Sequence, residues 1–225
     1  MPKLHQVFIG CPFSHEVRKP YDRLKRELEA ESPISLVLAD TVGVSSSDYL
    51  LEHITELITD SAGCIFDATG GNPNVSLEVG IAHTIPVDFI LTFKTRKKRT
   101  KKEKRTTAHL AEIEVRSIIS DLQGKNRIEY KAYDSLREQL EARYLVALPY
   151  MKRWQQFKSD NKAMVPHVLK LFSDLRSSGR STRARLAASL EGTGLSVTGV
   201  TDALVKAKLI SVQRGRSGGY SYPSK

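Results

Sequence analysis

The chain has 225 residues and a formal net charge of +10, with 40% hydrophobic and 27% charged residues. This is the composition of an ordinary globular protein; no apolar run nears the ~20 residues that a bilayer-crossing helix needs, and the excess of Lys and Arg favours an anionic partner. The length suits one large domain or two small ones, and the N-terminal MPKLHQVFIG is too short and too strand-like for a signal peptide.

In chain order, LHQVFIG (4–10) predicts a strand and SHEVRKPYDRLKRELEAE (14–31) a helix, with Ser14 as N-cap and Pro20 as a kink or late start. ISLVLAD (34–40) is a second strand. SSSDYLLEHITELITD (45–60) is a second helix with Leu50, Ile54, Leu57 and Ile58 on one face. AGCIFDA (62–68) is a third strand. From Asn74 a helix follows, with Val75, Val79 and Ala82 at helical spacing and Leu77, Ile81 and Ile85 alongside. VDFILTF (87–93) closes the series. Cys11 and Cys64 both lie in apolar strand contexts, which points to free buried thiols and a reducing, cytoplasmic compartment. His and Cys show no metal-ligand spacing, so neither a metal nor another cofactor is expected.

The segment KTRKKRTKKEKR, Lys94 to Arg105, holds nine basic residues and one acid, and reads as a loop. Solvation alone and contact with nucleic acid or phosphate both suit it. Beyond it, RIEYKAY (127–133) predicts a last strand, and residues 134–160 a long helix interrupted at Pro149. Trp154, Tyr144 and Tyr150 on that segment are expected to pack a seam between domains. Repeated βα units with short, fully apolar strands predict an α/β fold, an open parallel sheet covered on both faces in a flavodoxin-like, three-layer domain over residues 1–160.

From residue 164 the pattern changes. MVPHVLKLFSDLRSSG and STRARLAASL predict two helices, and SVTGVTDALVKAKLI a third, with Ser196 as N-cap and Val200, Leu204 and Ala207 inward. SVQRGRSGGYSYPS predicts two short strands about a glycine-rich turn. This order, and DALVKAKLISVQRGRSGGYSY in particular, resembles a winged helix-turn-helix domain, over residues 164–225. The resemblance implies a third helix facing DNA or RNA. Ser196, Thr198 and Thr201 would stand at its start, Lys206, Arg214 and Arg216 would hold phosphates, and Arg180, Arg183 and Arg185 would flank. That helix offers no exposed Arg, Asn or Gln to read bases, so backbone-led binding is expected. Winged helices also mediate protein contacts.

The densest signal is CIFDATGGNPNVSLEVGIAH, Cys64 to His83. An apolar strand ends in Asp67, a glycine turn follows, and the next helix holds one carboxylate, Glu78, among apolar residues. In open α/β sheets ligands bind at the carboxyl ends of strands. Together with VFIGCPFS, the segment resembles nucleoside 2-deoxyribosyltransferase-like proteins and their TIR-like relatives, over about residues 5–93. The resemblance implies an enzyme that cleaves the N-glycosidic bond of a nucleoside, a nucleotide or NAD, with Glu78 as nucleophile or charge stabiliser at the anomeric carbon.

Asp67 would be a second catalytic carboxylate, and Asn74 would hold sugar hydroxyls. Gly70 and Gly71 would allow close approach of the backbone, and Cys11, Pro12 and Phe13 would form the opposite wall. Ser14 would meet a phosphate at a helix start. Many transferases carry an acid where this chain has Asn72, six residues before Glu78, which leaves hydrolysis or plain binding open.

Simpler readings stand beside these. Glu78 also suits a carboxylate favoured by a helix N-terminus, Asp67 a turn cap, and His83 a surface residue, while Asp40 and Asp48 suit caps better than ligand contacts. The whole points to a sensor-effector, for example in defence, that joins nucleotide chemistry to a nucleic-acid module. The alternative is a DNA-binding regulator whose first domain senses a nucleotide without turnover. Homo-oligomerisation stays open, with no heptad or stripe demanding it.

Overall fold

The computed structural model describes residues 3–39, 47–95, 127–213 and 218–223, with the backbone alone for 47–49. Five strands, β1 (Lys3–Gly10), β2 (Ser35–Leu38), β3 (Ser61–Asp67), β4 (Phe89–Lys94) and β5 (Arg127–Tyr130), form one sheet in the order β2-β1-β3-β4-β5. Every pairing is parallel. This is the doubly wound order whose strand direction of growth reverses between β1 and β3.

The strands are apolar on both faces because both are covered. Val7, Ile9, Ile65 and Ile90 pack towards α1 (His15–Glu31) and α4 (Tyr133–Arg143). Phe8, Cys64, Phe66, Phe89 and Leu91 pack with residues of α2 (Ser47–Thr59) and α3 (Pro73–Thr84). The alternation along each strand is the period of two that a pleated sheet imposes. β2 is an edge strand, and α1 covers its open side: Glu29 accepts from the Leu36 N–H at 2.8 Å, and Lys25 donates to the Leu36 carbonyl. Arg137 clamps α4 to α1 through Glu27 and Glu31 at 2.6 and 2.7 Å.

The chain leaves α4 through a 3-10 turn (Leu145–Ala147), and Pro149 opens α5 (Pro149–Asp160) at its first position, where a missing N–H costs nothing. The expected interruption at Pro149 is therefore a full break between two helices. The last strand is shorter than RIEYKAY, because Tyr133 already begins α4. After a second 3-10 turn, α6 (Val165–Ser178), α7 (Arg183–Leu190) and α8 (Val197–Lys206) lead into an antiparallel pair, β6 (Ser211–Gln213) and β7 (Gly219–Ser221). Cys11 and Cys64 are buried free thiols. Among the described residues no helix is long and apolar enough to cross a membrane.

One hydrophobic cluster runs from β1 and α1 through α5 into α6, α7, α8 and Tyr220. The C-terminal helices are thus docked on the sheet, with Trp154 fully buried and the Tyr150 hydroxyl donating to the Leu209 carbonyl at 2.5 Å. Tyr144 serves elsewhere: its hydroxyl accepts from the Cys64 N–H and donates to the Asp88 carbonyl, both at 2.8 Å, so it pins β3 and not the seam. Across the seam, Arg176 of α6 donates to the carbonyls of Glu29, Ser32 and Ile34. His5 of β1 stacks on Tyr222 with ring centroids 3.4 Å apart.

Burial, with Lys3 and Arg176 nearby, lowers the His5 pKa to about 4 from its ordinary 6.5. Between those values the unfolded chain binds the proton and the folded chain does not, so stability falls as pH drops through that window. The loss is about 3 kcal/mol on the linkage scale. Urea denaturation at about pH 7 and about pH 4 should show this loss in the wild type and its absence in His5→Phe, once losses common to both are subtracted.

Candidate functional site

Parallel pairing sets Gly10 opposite Phe66 and Asp67 opposite Thr92, so the loops after β1 and β3 leave the sheet side by side. Two consecutive left-handed glycines, Gly70 (φ 79°) and Gly71 (φ 68°), turn the chain from β3 into α3. Asn72 caps α3, its side-chain oxygen accepting from the N–H groups of Asn74 and Val75 at 2.9 and 3.3 Å. Pro73 occupies the first helical position. The helix is thereby aimed with its inward stripe, Val75, Glu78, Val79 and Ala82, against the sheet.

Glu78 holds a position in that stripe where an apolar residue would be ordinary. It is 6% exposed, and its Oε2 has no hydrogen-bond partner. A Cβ built on Gly10 would lie 2.0 Å from that oxygen and 2.6 Å from Phe66 Cδ1. The carboxyl therefore occupies the space a side chain at residue 10 would need. Burial alone pushes its pKa up to about 7. At neutral pH it is poised between acid and carboxylate, the range in which one group can give or take a proton.

Asp67 does something different. It is fully buried, and its Oδ2 accepts from the Tyr21 and Tyr130 hydroxyls at 2.8 and 2.7 Å. Its Oδ1 accepts from the Thr69 N–H at 2.8 Å. The Tyr21 and Thr92 hydroxyls lie 2.5 Å apart, and Thr92 in turn reaches the Phe66 carbonyl. Thr69 closes the turn by accepting from the Lys94 N–H at 2.7 Å. Asp67 is bound to α1's face of the sheet, whereas Glu78 arrives from α3's face. The two carboxylates are not a facing pair, and Asp67 acts by holding the turn.

The remaining expected residues divide by exposure. Cys11 is buried in the cluster on α1's face, and burial together with Asp67 pushes its thiol up to about 12, so it packs as a neutral thiol and is no nucleophile. Pro12 is buried, Phe13 is 56% exposed, and Ser14 stands at the start of α1 with no side-chain cap bond. Gly70 and Asn74 are exposed, while Gly71 and Asn72 are half-buried. His83 is exposed on α3. The side chains of Asp40 and Asp48 lie outside the described residues.

Gly10, Phe66, Tyr21, Thr69, Thr92 and Tyr130 are the participants that sequence reading did not single out. Among the described residues no group of three or more His, Cys, Asp or Glu is placed to hold a metal.

At the C-terminal unit, Ser196 caps α8 by accepting from the Gly199 N–H at 3.0 Å. Thr201 donates to the Val197 carbonyl and meets the Tyr220 hydroxyl. Both hydroxyls are thus engaged within the unit. Thr198 is exposed and accepts from Arg183, and Lys206, Arg180 and Arg185 are exposed. Arg214 and Arg216, and most of the basic segment 94–105, lie outside the described residues.

No protein-family model matches the chain, and no curated protein does so at a significant level.

The raised Glu78 pKa gives a signed prediction. The folded protein holds the proton above the ordinary 4.5, so the associated stability is present below that value and lost as pH rises through about 7. Glu78→Gln, which stays neutral, should match the wild type near pH 4.5 and exceed it by about 3 kcal/mol at about pH 8 in urea denaturation. Gly10→Ala should destabilise by about 1–3 kcal/mol through overpacking, and adding Glu78→Ala should restore only part, since Phe66 still meets the new Cβ.

Proposed function

We propose that the α/β unit binds a nucleoside or nucleotide at the ends of β1 and β3 and cleaves its N-glycosidic bond, with Glu78 facing the anomeric carbon. The observation that carries this reading is the Glu78 carboxyl itself, buried, with Oε2 unpartnered, at the reversal point of a doubly wound sheet. A neutral carboxyl there leaves the free protein without a buried charge. As the bond to the base lengthens, positive charge grows on the sugar, and an ionised Glu78 stabilises it strongly in a desolvated place. The base departs with its bonding pair and takes the proton that Glu78 gives up, water adds to the anomeric carbon and returns its surplus proton to Glu78, and free base and sugar result. NAD differs in one step: its nicotinamide, already cationic, departs neutral with the bonding pair and takes no proton. Glu78 then acts as a carboxylate throughout, and the added water releases its proton to solvent.

The other residues supply position. The left-handed Gly70–Gly71 turn presents backbone with no side chain in the way of a ligand, and the exposed Phe13 offers a ring for a base to stack on. Asp67 fixes the turn from below through Tyr21, Tyr130 and the Thr69 N–H. The C-terminal unit, three helices and a β-hairpin in the order of a winged helix, joins this as the half that engages a partner, which makes the chain a sensor-effector.

The test incubates the purified chain with deoxynucleosides, nucleotides and NAD, with and without DNA or RNA, and resolves freed bases by chromatography. A base should be released, and Glu78→Gln should reduce release by at least ~100-fold while the ligand still binds. Ligand binding without release under any condition would instead make this a sensing pocket in a nucleotide-responsive regulator.

A further inference from the structure

A groove of about 1060 Å³ lies between the sheet and the C-terminal helices, and the chemistry of Glu78 makes no use of it. Its floor is apolar: Leu4 of β1, Val205 of α8 and Val212 of β6 line it, and the two valines are 41% and 48% exposed. Adjacent exposed aliphatics inside a polar rim mark a contact surface. Among the described residues the rim carries three cations, Arg153, Arg183 and Lys208, against one anion, Asp202.

Lys208 sharpens the picture. It has φ 56°, the left-handed region in which glycine is relaxed and lysine is not, directly after the C-cap of α8. A glycine there would serve the helix end better, so the residue present is explained by its exposed ammonium and not by its backbone. Arg153 of α5 donates to the Lys208 carbonyl at 3.4 Å, which ties the two cations to one stretch of rim.

We propose that this groove docks a partner protein through a short segment in which acidic side chains alternate with aliphatic or aromatic ones. The apolar side chains would cover Val205 and Val212 while the acids meet Arg153, Arg183 and Lys208. Nucleic acid suits the groove less. Among the described residues no aromatic ring lines it for base stacking, the Asp202 carboxylate repels phosphate, and an apolar floor gains nothing from a phosphodiester backbone.

The experiment selects from a displayed random dodecapeptide library on the full chain, then measures the selected peptides by fluorescence anisotropy. They should carry Asp or Glu beside Leu, Ile, Val or Phe, and bind more weakly as salt rises. The surface variant Val205→Glu/Val212→Glu should lose at least roughly tenfold in affinity. Lys208→Gly should raise the melting temperature and yet weaken binding several-fold, a combination that a purely structural lysine would not produce. A duplex of about 20 base pairs should not displace the peptide. Failure to select any peptide whose binding depends on the two valines would overturn the proposal. So would displacement by the duplex, with DNA affinity falling in the same variants, which would return the groove to nucleic acid.

Discussion

The Glu78 carboxyl lies in the volume that a side chain on residue 10 would fill, and the arrangement at the strand ends follows from that substitution of one group for another. Parallel pairing brings Gly10 level with Phe66, and only a hydrogen on that α-carbon leaves room for an oxygen 2.0 Å from the would-be Cβ. The helix can then lie close enough to bury Val75, Val79 and Ala82 on the sheet while carrying a carboxyl in the same stripe. Hydrophobic contact thus holds in place a group that would otherwise prefer water. Its oxygen without a partner is a local expense that the packing around it sustains.

Asp67 shows the opposite use of the same functional group. Its neighbours supply three donors, so its buried oxygens are met by hydrogen bonds and the group shapes the turn from β3 to α3. The period of two along a strand separates the two roles. Gly10 and Phe66 face α3, while Cys11 and Asp67 face α1, so the Glu78 and Asp67 carboxyls approach the sheet from opposite faces. Glu78 therefore stands on α3, and Asp67 braces the turn that leads into that helix.

Much of the fold was legible because its cause is local. Short, fully apolar strands between helical periodicities specify a covered parallel sheet, and glycines, Asn72 and Pro73 mark the start of α3 by their own backbone preferences. Glu78 stood out because a lone carboxylate in an apolar stripe contradicts its surroundings. What could not be read depends on distant partners. Tyr21 and Tyr130, at 46 and 63 residues from Asp67, look like ordinary core aromatics until the sheet assembles. Gly10 reads as the end of a strand, and only the arrival of α3 shows that its missing side chain is required. Tyr144 was placed at the seam by its neighbours Tyr150 and Trp154, but the 3-10 turn after α4 directs it to β3 instead.

The two halves of the chain meet along β1. His5 of that strand belongs to the seam with Tyr222, Leu4 lines the groove beside α8, and Gly10 at the other end makes room for Glu78. Five residues of strand span roughly 17 Å. From Val7 to Ile9 the strand is paired on both sides and cannot slip without breaking ladder hydrogen bonds, whereas its start, with Leu4 and His5, lies before the β2 pairing and at a register shift against β3. Movement can therefore enter at that irregular start and in the docked helices over the seam, where side chains and not ladder bonds make the contact. Arg176, with three backbone carbonyls of α1 and the following turn as its acceptors, resists that movement. A ligand at Glu78 can alter the groove only to the extent that it binds two positions of those helices with different affinity. The regular part of β1 is a fixed frame, so any coupling between the Glu78 end and the groove resides in the seam and the irregular start of the strand.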